Sequence, residues 1–423
     1  MKVLVIGSGG REHAIIKSLK KNKRITKLYA APGNGGISAD AQCVPVKAVD
    51  IHAMTEFAVK ESLDYVVVTP DDPLAVGMVD ALEEKSIRCF GPKKEAARIE
   101  SSKVFSKNLM KKYRIPTAAF ETFSDYSEAC QYLKSGNISF PVVIKADGLA
   151  LGKGVIIAAD LNEALDAINE IMRDKKFGQS GDSVVIEEYL TGPEITVLSF
   201  TDGKNIIPMI SSMDHKRIYD GNKGPNTGGM GVIAPNPHYT KEIAKICEKD
   251  IFIPTIQALK KEGCPFKGCL YFGIMATEKG PMVIEYNARF GDPEAQAVLS
   301  LLETDLLEIM EAVTDERLNE IDIVWKKEHA ACVVLASAGY PSAYKTGLKI
   351  NGLDSGGGAG KEGILIFHAG TEYKNSAFFT SGGRVLGVTA AGQSLESALG
   401  KAYDAADMIN FEGMYFRRDI GRY

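Results

Sequence analysis

The segment Val283-Ile284-Glu285-Tyr286-Asn287 reads as a strand, and strand side chains alternate between faces, so Glu285 and Asn287 point one way and Ile284 and Tyr286 the other. A carboxylate and an amide on one face offer two hard oxygen ligands. Mg2+ takes such ligands while keeping waters or phosphate oxygens, which suits a cation bridging the phosphates of ATP. Arg289, two residues on, stands where it could stabilise charge that develops during phosphoryl transfer. The same spacing also fits a plain polar outward face.

Two glycine loops offer phosphate chemistry. Gly7-Ser8-Gly9-Gly10 follows a first strand and opens a helix, where backbone N–H groups and the positive helix end attract an anion. The dinucleotide fingerprint fails here on two counts. Glu12 stands where a third glycine is required, and Ala30-Ala31-Pro32-Gly33-Asn34 stands where a ribose-gripping acid is required. A phosphorylated substrate held by Gly9, Gly10, Arg11 and the Pro32 to Gly36 turn, with Asn34 in it, is therefore expected rather than a nicotinamide cofactor. The alternative is that these glycines only permit a tight turn. The second loop runs from Lys145 through Gly148 and Gly152 to Lys153 and Gly154, between two strand candidates, and resembles a lid. It is not a P-loop, because Gly154 follows Lys153 where Ser or Thr is needed. Lys145 could meet a phosphate as a point charge or lie on solvated surface.

The elements that must position these groups follow from periodicity. Short apolar runs at Val3 to Ile6, Leu28 to Ala31 and Tyr65 to Val68, with a helix from about Arg11 to Lys20, predict parallel βαβ units. A charged helix near Lys103 ends before Pro116, which forces an extended exit. Runs at Pro141 to Lys145 and Val184 to Glu188, with a helix from about Leu161 to Arg173, predict a small α+β lobe. Strands at Glu194 to Phe200, Cys269 to Ala276 and Met282 to Asn287 precede one long helix over about Pro293 to Val313. The chain restarts at Ala331 to Ala336 and stays β-rich, with a helix near Leu395 to Ile409. Three domains are expected: 1–102, 103–325 with a lid lobe at about 120–191, and 326–423.

Composition sets the outer limits. The 423 residues are 45% hydrophobic and 25% charged with a formal charge of −4, which excludes disorder and a basic field for nucleic acid. Seven scattered cysteines suggest neither a disulfide framework nor a zinc knuckle. No apolar run reaches the length of a membrane helix, and the start is too briefly apolar for a signal peptide, so a reducing cytoplasm is expected.

In order along the chain, Lys103, Lys145 with its glycine loop, Ile186 to Glu194, and Glu285-Tyr286-Asn287 resemble the ATP-grasp ligases. The resemblance narrows to the glycinamide ribonucleotide synthetase family and covers the whole chain. It rests on Gly7-Ser-Gly-Gly-Arg-Glu-His13, Pro32-Gly-Asn34, Asp214-His-Lys-Arg217, Gly224-Pro-Asn-Thr-Gly-Gly-Met-Gly231 and Arg289-Phe-Gly-Asp-Pro-Glu-Ala-Gln296. Phe367-His-Ala-Gly370, Ser381-Gly-Gly-Arg384 and Arg418-Asp-Ile-Gly421 add to it. Thr69-Pro70-Asp71 departs from the common Gly-Pro-Glu, and Leu151 replaces a commonly small lid residue.

That resemblance implies an α/β protein: an N-terminal Rossmann-like parallel sheet domain, a central ATP-grasp domain with a small α+β lid, and a C-terminal β-rich α+β domain. It implies ATP between two lobes. Lys103, Lys145, Gly152, Lys153 and Gly154 would meet phosphates, Glu187, Glu188, Tyr189 and Leu190 would line adenine, and Glu194 would hold the ribose hydroxyls. Glu285 and Asn287 would bind Mg2+, with Mn2+ as the alternative. The implied reaction joins glycine to 5-phosphoribosylamine through glycyl phosphate, in a monomer that meets neither nucleic acid nor membrane. Lys145 and Arg289 would stabilise the transferring phosphoryl group. Asp214 is a candidate for the glycine ammonium, although Asp-His-Lys-Arg also fits a solvated turn, and His215 as a base meets the same objection. Asn226, Thr227, Gly228 and Gly229 would face the ribosyl phosphate or the acyl phosphate. A nicotinamide dehydrogenase and a noncatalytic nucleotide sensor are the competing readings.

Overall fold

The computed structural model describes residues 1–136, 138–149 and 154–422. The uninterrupted apolar runs of the first third suit strands covered on both faces, and they form a parallel sheet. Its order is Gln42–Cys43, Lys27–Pro32, Lys2–Gly7, Tyr65–Val68, Arg88–Phe90. The winding reverses beside Lys2–Gly7, which brings the glycine loop and Thr69 to Asp71 together at the carboxyl ends of the strands.

Two antiparallel four-stranded sheets come next. The smaller has the order Phe120–Phe123, Val184–Glu188, Val142–Ala146, Val155–Ala158. The helices Tyr126–Lys134 and Leu161–Ile168 pack through Leu133, Ala164 and Ile168 onto Val142, Ile144 and Ile186. The larger has the order Ile206–Pro208, Glu194–Asp202, Lys267–Thr277, Gly280–Asn287. The C-terminal sheet is also antiparallel, in the order Met213–Asp214, Gly231–Ala234, His329–Ala336, Arg384–Gly392, Ile364–His368. Two of its strands thus come from before residue 325, so the loops around Asp214 and Gly228 are tied directly to the last third of the chain.

The single long helix expected over Pro293 to Val313 is two. Glu294–Val298 ends in a short turn at Leu299–Leu301, and Leu306–Thr314 starts afresh. Asp305 is the reason: its carboxylate accepts from the N–H groups of Leu307 at 2.9 Å and Glu308 at 3.3 Å, capping a new helix. The helix expected over Leu161 to Arg173 is α-helical to Ile168 and continues as a wider turn over Asn169–Arg173.

Candidate active site

A cleft of about 930 Å3 lies between the two antiparallel sheets. Strand alternation supplies its walls. Val142, Ile144 and Ala146 enter the core of the small lobe, whereas Val143 and Lys145 line the cleft. Opposite, Glu285 and Asn287 both line it, and Tyr286 turns inward to place its hydroxyl 2.9 Å from that of Thr255.

Glu285 is held by its surroundings as an anion. Burial pushes its carboxyl up, but Lys216, Lys145, Lys103 and Arg289 together outweigh this and bring it down to about 2. Asn287 Oδ1 accepts from Arg289 at 3.1 Å. Arg289 is fixed in turn by Glu100, 2.9 Å away, whose other oxygen accepts from the Ala288 N–H at 2.7 Å. Burial pushes the Glu100 carboxyl up to about 7 against the pull of Arg289. No cluster of three or more His, Cys, Asp or Glu side chains suited to a metal occurs among the described residues. A carboxylate held anionic by lysines beside a neutral amide oxygen therefore fits a Mg2+ ion that takes its remaining ligands from phosphates and water, and does not fit a self-contained metal centre.

Lysines line one end of the cleft. Lys103 donates to the Gly148 carbonyl at 2.8 Å, and Lys145 to the Ile284 carbonyl at 3.1 Å. Asp147 accepts from the Val104 N–H at 3.1 Å, clamping the start of the lid loop onto the helix Lys103–Tyr113. Gly148 has φ +118°, and a Cβ there would come within 2.5 Å of Ser180. Gly154 lines the cleft, while Gly152 and Lys153, with Ala150 and Leu151, lie outside the described residues. Glu187 ion-pairs with both Lys145 and Lys107, all three buried. Lys107 is a site residue that sequence reasoning missed, although it stands one helical turn after Lys103 on the same face. Glu188, Tyr189, Leu190 and Glu194 line the same wall. Glu188 accepts from the Ala119 N–H at 3.0 Å, and Tyr189 is 43% exposed.

At the other end Lys216 lies 3.3 Å from Glu194 and 3.5 Å from Glu285, joining the two carboxylates across the cleft. Asp214 is half-buried on a strand, with its Oδ1 buried, rather than on a solvated turn. Its Oδ1 has no hydrogen-bond partner among the described residues, and burial with Glu294 nearby raises its carboxyl. His215 is no base. Its Nε2 accepts from the Gly421 N–H at 3.0 Å and its Nδ1 faces the Gly231 carbonyl at 3.2 Å, so both nitrogens are used by the backbone. Asn226, Thr227 and Gly228 line the cleft, but the Thr227 hydroxyl donates to the Lys216 carbonyl and accepts from the Gly229 N–H. It shapes the loop.

Burial brings His215 down to about 4 and His368 to about 3, and it lowers His13 as well. His215 and His368 therefore stay neutral when folded while an unfolded chain takes up protons near pH 6.5. Folding stability is full above that value and falls as pH drops below it, each histidine adding a slope approaching about 1.4 kcal/mol per pH unit. Urea midpoints measured between about pH 7.5 and 5.5 are expected to fall. In His368→Gln, whose amide can still donate to the Gly357 carbonyl accepting from His368 at 2.9 Å, part of the slope is expected to vanish.

The N-terminal glycine loop departs from expectation. Glu12 accepts from the Gly9 N–H at 2.6 Å, from Thr69 at 2.7 Å and from Arg11 at 2.5 Å. Asp292 accepts from the Arg11 N–H at 3.3 Å. The chain's own carboxylates thus fill the anion site at this helix start, leaving no cradle there for a dinucleotide or for the phosphate expected on Gly9, Gly10 and Arg11. Gly10 is closely packed: a Cβ there would come within 2.5 Å of Gln296. Arg11 lines the large cleft. Asn34 is likewise committed, donating to the Ser8 and His368 carbonyls and accepting from the Gly36 and Ile37 N–H groups. Gly9 and Asn34 nonetheless border a second cavity of about 380 Å3, with Gly370, Thr371, Ser381 and Gly382 from the C-terminal region. Asp292 and Arg384 border both cavities, and nothing in their local sequence foretold it.

Family models place this architecture. The description "Phosphoribosylglycinamide synthetase, N domain" matches residues 1–100, the ATP-grasp (A) domain 101–295 and the C domain 330–423. A protein of Caldanaerobacter subterraneus subsp. tengcongensis named phosphoribosylamine-glycine ligase is 48% identical over 420 residues, 99% of each chain. The crystal structure of the phosphoribosylamine-glycine ligase of Thermotoga maritima superposes with a TM-score of 0.85 at 34% identity, over 99% of this chain and 100% of that one. A biotin carboxylase domain of a Hydrogenobacter thermophilus 2-oxoglutarate carboxylase, solved with MgADP and bicarbonate, shares the fold at 17% identity, with a TM-score of 0.75 over 98% of this chain and 91% of that one. The two facing sheets are thus an ATP-grasp fold, and the chain belongs to the phosphoribosylglycinamide synthetase family.

Proposed function

We propose that the chain is an ATP-dependent ligase that joins glycine to 5-phosphoribosylamine, giving glycinamide ribonucleotide, ADP and phosphate in de novo purine biosynthesis. The observation that carries this is one cleft holding an anionic Glu285 beside Asn287, the lysines Lys103 and Lys145, and an Asp214 Oδ1 unpartnered among the described residues, with a second cavity beside it. The relatives' names support the same reaction.

A glycine carboxylate is a poor electrophile, so it must be activated. Lys103 and Lys145, with Gly152, Lys153 and Gly154 of the lid, hold the ATP phosphates. Glu187 to Leu190 line the base, and Glu194 faces the ribose. Mg2+, or Mn2+ in its place, would be held by Glu285 and Asn287 and would neutralise charge on the phosphate oxygens. Asp214 takes the glycine ammonium, which leaves the glycine carboxylate free to attack the γ-phosphorus. Lys145 and Arg289 stabilise the charge that moves onto the equatorial oxygens, and glycyl phosphate results. Closure of the lid keeps water from it. The 5-phosphoribosylamine sits in the smaller cavity beside Gly9 and Asn34, with the loop Asn226 to Gly228 between it and the acyl phosphate. The chain acts as a monomer on small molecules, and its seven cysteines are free thiols, as suits a cytoplasmic protein.

The test is a coupled assay with ATP, Mg2+, glycine carrying a heavy-oxygen carboxylate, and phosphoribosylamine. ADP release is expected only with both substrates, and the label is expected in the released phosphate. ADP release that ignores glycine, or phosphate without label, would overturn the reading.

A further inference from the structure

Among the described residues, only Asp292 and Arg384 border both cavities, so whatever passes from one to the other passes them. Resting on the ligase reading above, we propose that Asp292 receives the attacking amine of the ribosylamine, accepting its N–H and taking its proton as the new C–N bond forms. This is a catalytic role distinct from the phosphoryl-transfer machinery at Glu285 and Lys145.

The position follows from the backbone. Gly229 has φ +110°, and a Cβ built on it would lie 2.6 Å from Asp214 Oδ1 and 2.5 Å from Pro293 Cδ. Asp214, which faces the glycine end, and the Asp292-Pro293 segment therefore flank the same glycine. On the other side, a Cβ on Gly9 would lie 2.9 Å from Asp292 Oδ2, which brings the carboxylate to the edge of the smaller cavity.

Every group touching Asp292 is a donor. The Arg11 N–H reaches Oδ2 at 3.3 Å, Gln296 Nε2 reaches Oδ1 at 2.9 Å, and Arg384 lies 3.3 Å from Oδ1. An ionised carboxylate has about four acceptor sites, so these three donors leave room for one more. Arg384 and Arg11 keep the carboxyl low although it is buried, so it is ionised when the amine arrives. The nearby histidine is committed: both His215 nitrogens serve the backbone.

The step balances without an added reactant. The amine nitrogen attacks the acyl carbon, and the bond from that carbon to the phosphate oxygen breaks with its electron pair on phosphate. The nitrogen proton moves to Asp292 and then to the departing phosphate. A carboxylate suffices as base, because nitrogen bonded to the tetrahedral carbon is far more acidic than a free ammonium.

Asp292→Asn tests this with three readouts. Glycine-dependent positional isotope exchange in ATP, measured without ribosylamine, reports phosphoryl transfer alone and is expected to stay within about threefold of the parent. Ligation is expected to fall by roughly 100- to 10,000-fold, the range of general acid-base effects. Hydroxylamine, a nucleophile that needs no base, is expected to trap glycine hydroxamate at near-parental rate. Ligation that persists, or exchange and trapping that fall in parallel with it, overturns the role. A parent protein with no glycine-dependent exchange overturns the ligase reading itself, a distinct outcome.

Discussion

Replacing Glu285 by glutamine is expected to lower kcat by on the order of 100-fold or more, the scale of removing one principal electrostatic stabiliser. The reason is its setting. Lys216, Lys145, Lys103 and Arg289 converge on this carboxylate strongly enough to bring it down to about 2. The glutamine keeps the shape but leaves four cations with one anion fewer. It also offers a divalent cation a neutral oxygen, so the Mg2+ concentration for half-maximal rate is expected to rise together with the loss of kcat. Titrating Mg2+ at saturating ATP and glycine separates the two effects. Because the carboxyl sits far below neutrality, the parental rate is not expected to show a Glu285 limb above about pH 5. Unchanged turnover at low Mg2+ would remove Glu285 from the site.

What could be read from residues alone was whatever depends on short-range periodicity. The alternation along Val283 to Asn287 put Glu285 and Asn287 on one face before any fold was considered, and the apolar runs at Val3 and Tyr65 announced a parallel sheet. Contacts between distant segments were not legible in the same way. Glu100 reaches Arg289 from the last helix of the N-terminal region, and Asp292 reaches Arg11 across the chain. The same limit explains the glycine loop. Glu12 was correctly seen to break the dinucleotide pattern, but that its carboxylate would take the Gly9 N–H itself, and so fill the anion site, needed coordinates. In sequence Asn34 reads as a polar turn residue near a phosphate. Its oxygen bonds the local Gly36 and Ile37 N–H groups, as such residues tend to do, and its amide is taken by the distant Ser8 and His368 carbonyls. The division of Pro293 to Val313 was visible only as Asp305 amid leucines, a cap signal outweighed by the apolar run.

Glu187 leads to the second large effect, this time on folding. Its carboxylate lies between Lys107 and Lys145, with side-chain exposures of 5%, 3% and 5% respectively. Burial raises the carboxyl, but the two lysines outweigh that and lower it, while burial brings Lys107 down to about 8 despite Glu187. Breaking such a buried group by neutralising its shared partner costs about 3–5 kcal/mol, because uncompensated charge stays inside. Glu187→Gln is therefore expected to lose that much in urea unfolding, and to lose ATP affinity as Lys145 gives up its anchor. A lysine whose folded value lies below its unfolded value of about 10.4 makes stability rise with pH between the two. For the parent that window is about 8 to 10.4. In Glu187→Gln the Lys107 value drops further, so stability is expected to climb with pH through neutrality. Adding Lys107→Met to Glu187→Gln removes one stranded charge and is expected to restore part of the loss, giving a coupling energy that a double-mutant cycle reads directly. Strict additivity of the two substitutions would mean that the charges do not share one buried environment.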